Sequence, residues 1–484
     1  MLAKNRWIFA NLTLWIGLIG SLVGLAMGFL AGVNPLYPML LIVAIAVVSC
    51  LFKNPEATIL GLLILRSALD PFSAQQLPAA FALGVDVLTI LYVFVKVLTR
   101  QKVYTDAFWW FFASWVALQG LWVILLPLGG LGMDGSYVPT SLREWVRLFS
   151  WVMMYLLVMQ LKGTTPARRV VSCLFGALII PLLVATLQLL APSLLPPVFL
   201  GASGEEIAPI EGLSRVRGTL GLANTFSSFL SLFILLSWWK LKQVRQRLPW
   251  IVLLGFLVFF LVNTQSLFSL IMMAVAVFVI ILPRLSVVNL FGGVVLLTSV
   301  IGLFANSEIG QERLGSIADT PLLNPDIDVS RAVLLSQSDN NSFNWRLAQW
   351  TFLLQAWQQY PIWGYGLLTC SKLTVLHNYA HNEYVRALVE GGIVGFIAFL
   401  VFLGAQVGRL LQLFHQSPPD SDRQDFCLTL LGMLVAMIVG MITENIWTHT
   451  TLFFYWWALF AVAGWEWDEP QKSEVASANA IAVS

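Results

Sequence analysis

Charge is what this chain lacks. Lys, Arg, Asp and Glu make up 11% of its 484 residues, where soluble domains carry about 25%. The deficit runs the whole length, so a water-soluble globular domain is excluded and many membrane spans are implied. Cysteine is scarce too. Cys50, Cys173 and Cys427 fall in apolar stretches and Cys370 stands alone in a polar one, which leaves no disulfide framework and no zinc-ligand spacing. No basic run points to nucleic acid, and a net charge of +2 adds nothing to that reading. A Gly-rich nucleotide-phosphate loop and a serine nucleophile elbow are both missing.

What the chain has is apolar length. Fourteen runs are candidate spans: 8–30, 36–52, 56–69, 80–98, 107–127, 145–161, 170–191, 219–239, 249–263, 266–282, 286–305, 390–413, 427–443 and 449–464. Helices are expected throughout, because every backbone group in lipid needs an internal partner. The first run follows Lys4 and Arg6 as a signal peptide would, but it is long enough to span and reads as a retained span. The third is short and carries Arg66, which implies a re-entrant or tilted segment. The fold class is an all-α polytopic membrane protein of about 12–14 transmembrane helices.

Basic residues in the short loops set the orientation. Lys4/Arg6, Lys53, Arg100/Lys102, Lys162/Arg168/Arg169, Lys240 to Arg247, Arg284 and Arg409/Arg423 fall on one side if the spans alternate. That side is the cytoplasm and holds both termini. The expected organisation is a bundle over 1–305, a periplasmic loop over 306–389, three spans over 390–464 and a disordered cytoplasmic tail over 465–484. A second set of arginines then lies outside or at outer span ends: Arg143, Arg147, Arg215, Arg217, Arg313, Arg331, Arg346 and Arg386. An arginine within lipid costs about 2.5–3.5 kcal/mol on insertion scales, so Arg66 and Arg147 are expected to face the bundle interior.

The outer loop carries the most chemistry. Trp345, Ala348, Phe352, Leu353, Ala356 and Trp357 recur at helical spacing. Pro361 ends that helix, and its tryptophans suit the membrane interface. His377 and His381 follow, four apart and able to share a helix face, and then Asn382, Glu383 and the pair Arg386/Glu390 at ion-pair spacing. Gly391, Gly392 and Gly395 permit close packing of the next span. A metal is not expected at the two histidines, for no third ligand is evident. Upstream, Arg215 and Arg217 precede a glycine turn and Asn224, a plausible phosphate cradle; Arg143 and Arg147 share one face at i, i+4. Interfacial anchoring is the alternative for each arginine, and a backbone-bonded interfacial histidine is the alternative for His381. Asp326 and Asp328 form a weaker acidic pair. Glu444 and His449 flank the last outer turn, where they either line the same cavity or cap helices.

Three segments together resemble the O-antigen ligase and polymerase superfamily of bacterial envelope polysaccharide assembly. They are Arg215-Val216-Arg217-Gly218 with Asn224, Trp345-Arg346 through Pro361-Ile362-Trp363-Gly364-Tyr365-Gly366, and His381-Asn382-Glu383-Tyr384 with Glu390-Gly391-Gly392-Ile393-Val394-Gly395. The resemblance implies a membrane-embedded, metal-independent glycosyltransferase without a cofactor, placed in the bacterial inner membrane with a periplasmic active face. Its donor would be a glycan on polyprenyl diphosphate and its acceptor a glycan or lipid-linked sugar. The histidine acting on the acceptor is then His381. The diphosphate-binding arginines are Arg346 with Arg215 or Arg217; Arg143, Arg147, Asn382 and Glu383 join the expected substrate-binding set. One departure stands out. Where the family often has Ser-Arg between the ninth and tenth spans, this chain reads Ser266-Leu267. Polymerase and ligase are not separated by these motifs. Transport of a small anion such as bicarbonate is the rival reading, which buried arginines would serve, though no internal repeat supports it.

Overall fold

The computed structural model describes residues 36–200, 215–286, 342–374 and 377–467, with isolated positions at 288, 291 and 331. The spans expected at 8–30 and, past its first residues, 286–305 lie outside the described residues, as do Arg313 and the Asp326/Asp328 pair. Among the described residues every regular element is a helix. The chain divides into two compact units, Met1–Leu62 and Leu63–Ser484. The first contains α1 (Leu36–Lys53) and the start of α2 (Pro55–Arg66), whose first turn is capped by the Asn54 side chain accepting from Ala57 N at 3.1 Å.

The second unit continues with α3 (Leu77–Leu98), α4 (Ala107–Leu125), α5 (Val138–Met159), α6 (Ala167–Leu174), α7 (Ile179–Leu190), α8 (Ala223–Leu241), α9 (Leu248–Asn263) and α10 (Leu267–Ile281). After α11 (Ser342–Trp357) come α12 (Glu383–Gln416), α13 (Asp422–Gly440) and α14 (Thr450–Ala463). Helices α3, α4, α12 and α13, and α6 with α7 taken together, are long and apolar enough to cross a membrane. Large apolar side chains such as Val87, Phe94, Ile124, Leu183, Val252, Phe259 and Val401 point outward, as a lipid-facing surface requires. Inside, aromatic rings fill the gaps. Trp115 stacks on Phe402 at 4.1 Å, Trp151 stacks on Phe453 at 4.2 Å, and Trp447 meets all four edge-on.

Two helices start well before their apolar runs. Pro139 suits the first turn of α5, and Asn382 caps α12 by accepting from Tyr384 N and Val385 N, both at 3.0 Å. Between α6 and α7 a 3-10 turn precedes Pro181. Proline cannot donate to the carbonyl four residues back, and that carbonyl, Ala177 O, is satisfied instead by Ser67 Oγ at 2.7 Å. Arg66, at the end of α2, is 2% exposed. It pairs with Asp70 at 2.6 Å, donates to Thr450 Oγ1 at 3.0 Å and lies over the Phe454 ring. The interior placement expected of it holds.

The glycine-rich start of α12 has an architectural cause. Gly392 has φ +63°, a left-handed residue inside the helix, and breaks its hydrogen-bond ladder. Residues 361–366 repair the break. Ile393 N donates to Pro361 O at 2.8 Å and Val394 N to Ile362 O at 3.3 Å. Tyr365 N and Gly366 N donate back to Val389 O and Glu390 O at 3.1 and 2.9 Å. Backbones this close leave no room for a Cβ at Gly364 or Gly392. Two of the sequence motifs are thus the two halves of one backbone joint. In α13, Gly432 and Gly440 likewise let α10 approach, through Ala276 O and Ile280 at one end and Met272 and Phe268 at the other.

Candidate functional site

The site grows from the segment between α11 and α12. Helix α11 holds this segment by its backbone: Gln349 Nε2 donates to Asn378 O and Trp350 Nε1 to Ala380 O, both at 2.6 Å. Thr374 Oγ1 in turn donates to Gln349 Oε1 at 2.8 Å. With Ala380 anchored and Asn382 committed to capping, His381 sits between two fixed points on left-handed backbone, φ +48°. Strain of this kind costs of order 1–3 kcal/mol and gathers at functional sites. His377 is also left-handed, so the two histidines do not share a helix face; the Asn382 cap starts the helix only after both.

The His381 ring meets Trp345 edge-on at 5.3 Å. Its Nδ1 lies 3.4 Å from Glu444 Oε1, ion-pair distance without the alignment of a hydrogen bond. From Glu444 a chain of bonds runs across to α8. Asn224 Nδ2 donates to Glu444 Oε2. Asn224 Oδ1 accepts from Arg215 at 2.9 Å and from Ser266 Oγ at 3.0 Å. Arg215 Nε donates to Thr264 O at 2.9 Å. The expected histidine and one expected arginine are thus joined through Glu444 and Asn224. Leu267, where the family often carries arginine, is 72% exposed, and Ser266 beside it enters the network. His449 lies behind, 1% exposed. Its Nδ1 is 3.1 Å from Ser228 Oγ, whose hydroxyl donates to Asn224 O at 2.9 Å. With that proton committed, His449 Nδ1 is the donor to Ser228.

Electrostatics follow this layout. Burial alone would raise the Glu444 pKa, but pairing with His381, then the charges of His449 and Arg346, outweigh it and hold the carboxyl at about 2. Burial lowers the pKa of the Arg215 and Arg346 guanidinium groups, and the Glu444 charge opposes that in both; each remains a cation at neutral pH. Arg346 Nε is buried without a hydrogen-bond partner among the described residues. Two cations, one carboxylate and a partly exposed imidazole therefore gather in one place.

The other expected residues are placed differently. Arg217 turns to a separate cavity lined by Asp70, Ser73 and Gly218. Arg147 pairs with Glu144 and lies over the Trp151 ring, facing inward as expected, while Arg143 is exposed. Asn382 is the helix cap described above. Glu383 is 3% exposed and accepts from Trp447 N at 2.9 Å and from Arg386 at 3.3 Å. Arg386 is a buried hub. It also reaches Glu144 at 2.7 Å and Glu390 at 3.2 Å, and Glu390 accepts from Leu368 N and Cys370 N. The Arg386–Glu390 pair read from spacing is present; Glu144 was not singled out, although a carboxylate three residues before Arg147 in an apolar stretch was a visible signal.

No curated protein shows a significant match to the sequence. Residues 250–400, from the first turn of α9 to the middle of α12, match the family model for O-antigen ligase, the superfamily that the motifs of the sequence resemble.

Proposed function

We propose that the protein transfers a glycan from polyprenyl diphosphate to an acceptor hydroxyl at the outer face of the inner membrane, as a polysaccharide ligase or polymerase. The matched family carries glycan transfer in polysaccharide assembly. The observation that supports the finer reading is the continuous path His381–Glu444–Asn224–Arg215, with the Arg346 charge near enough to act on Glu444. This supports a reading in which His381 accepts a proton and the two arginines bind the diphosphate.

In this reading the acceptor oxygen attacks the anomeric carbon of the donor. The bond from that carbon to the diphosphate oxygen breaks, and its electron pair leaves with the diphosphate. Arg215 and Arg346 neutralise the charge that builds on the departing group, the larger electrostatic task. The acceptor's proton passes to His381, a partly exposed imidazole able to act as general base. Buried Glu444 stabilises the imidazolium that results. Held substrates need mainly positioning, because the diphosphate is already a good leaving group.

The test is transfer of a lipid-linked glycan by purified wild type and by His381→Ala and Arg346→Ala. A fall in turnover of roughly 10²–10⁴-fold for His381→Ala is expected for loss of a general base. Wild-type rates in both variants would sink the assignment.

A further inference from the structure

Arg217 is two residues from Arg215, close enough for their charges to repel, yet it faces a cavity of its own. This cavity has a volume of about 240 Å³ and is lined by Asp70, Ser73, Gln75, Phe199, Arg217 and Gly221, among others. That is room for one sugar ring rather than a chain.

The walls are fixed before any ligand arrives. Gln188, on α7, spends its whole amide on two of them. Its Nε2 donates to Phe199 O at 2.8 Å and Gly218 O at 3.0 Å. Its Oε1 accepts from Arg217 N at 3.1 Å and Gly218 N at 2.9 Å. On the facing wall both oxygens of Asp70 are held, by Arg66 and by Thr451 Oγ1, each at 2.6 Å. Thr219 Oγ1 ties the glycine turn to Ser67 O at 2.5 Å, and Phe72 meets Phe199 edge-on at 6.0 Å. Amid these commitments the Arg217 guanidinium makes no side-chain hydrogen bond or ion pair among the described residues.

We propose that this cavity is a saccharide subsite that holds the sugar unit next to the donor diphosphate; this rests on the glycan-transfer reading above. The lining decides for a sugar over a phosphate. A phosphate oxygen only accepts hydrogen bonds, so it can make none to Asp70, itself an acceptor. Sugar hydroxyls both donate and accept, and can use Arg217 as donor and the free lone pairs of Asp70 as acceptors. The adjacency of Arg217 and Arg215 matches the adjacency of the sugar and its diphosphate in one donor. Rigid walls lower the ordering cost of binding.

The experiment is a binding titration of the detergent-solubilised full chain with two probes, bare polyprenyl diphosphate and polyprenyl diphosphate bearing one sugar. Arg217→Ala should weaken the sugar-bearing probe about tenfold, the worth of one hydrogen bond to a charged group, and leave the bare probe unchanged. Ser73→Trp, at an exposed position on the cavity rim, should do the same by filling the space, and covers the case in which Arg217→Ala fails to fold. Equal weakening of both probes would make Arg217 a phosphate ligand and overturn the subsite, as would unchanged binding of both probes in both variants. Wild type that binds neither probe would overturn the glycan-transfer reading itself, a different result from either.

Discussion

His381 Nδ1 and Glu444 Oε1 lie 3.4 Å apart, with 23% of the histidine side chain exposed and only 6% of the glutamate. One partner is partly exposed, while the other is buried and bonded to Asn224. A carboxylate so placed can hold the ring in one orientation. Glu444→Gln keeps the shape and removes the charge. It is expected to lower turnover about 10–100-fold with little change in donor affinity, less than loss of the base itself. Glu444→Asp should recover part of the rate. Steady-state kinetics that show unchanged turnover in Glu444→Gln would separate this glutamate from the chemistry.

Acid should loosen the same network. The Glu444 carboxyl is pulled from its usual 4.5 to about 2. A depressed carboxylate contributes stability that is complete above its unfolded pKa and is lost as pH falls toward the folded one. The contribution is therefore whole at neutral pH and fades between about pH 4.5 and 2. Thermal unfolding in detergent, compared at pH 7 and pH 3, should show a larger drop in Tm for wild type than for Glu444→Gln. Equal drops would mean that Glu444 is not coupled to the fold in this way.

The helical class, many of the helix positions and the pairing of Arg386 with Glu390 were legible in the sequence because each is local: apolar length and i, i+4 spacing. His381 and Arg215 were legible as candidates because polar groups are rare in so apolar a chain. Their connection was not. Glu444 lies far downstream between two spans, with no pattern that ties it to His381, so only tertiary packing brings them together. The shared helix face that spacing left open to His377 and His381 is absent for a readable reason: Asn382 is a good cap, and a cap places the helix after itself. The glycines at 391, 392 and 395 were read as packing glycines. The role of Gly392 in a kink repaired by residues 361–366 rests on backbone-to-backbone bonds that side-chain patterns do not encode.

That joint makes a sharp contrast within one helix. A Cβ at Gly392 would meet the Ile362 carbonyl and lie 2.6 Å from Trp363 N, on backbone of φ +63°. Gly404, exposed in the same helix, has nothing within 4 Å. Gly392→Ala should cost at least about 2 kcal/mol through strain and overpacking, seen as a lower Tm and reduced yield. Gly404→Ala should be neutral or stabilise by up to about 1 kcal/mol. Similar Tm values for the two variants would remove the kink from the structural account.

The two site arginines should respond differently to lysine. Arg215 uses the geometry of its guanidinium, with Nε on Thr264 O and a terminal nitrogen on Asn224 Oδ1. Lysine has one ammonium and cannot make both bonds in that fork. Arg346 Nε has no hydrogen-bond partner among the described residues, so what Arg346 supplies is chiefly a charge near Glu444, which lysine retains. Arg215→Lys is expected to lower transfer at least about tenfold, from the loss of one hydrogen bond and the misplacement of Asn224. Arg346→Lys should stay within a few-fold of wild type. Rates from the two variants under saturating donor, together with Tm values showing that both fold, decide the matter. The reverse order would make Arg346 the geometric ligand and leave Arg215 as a brace for Asn224.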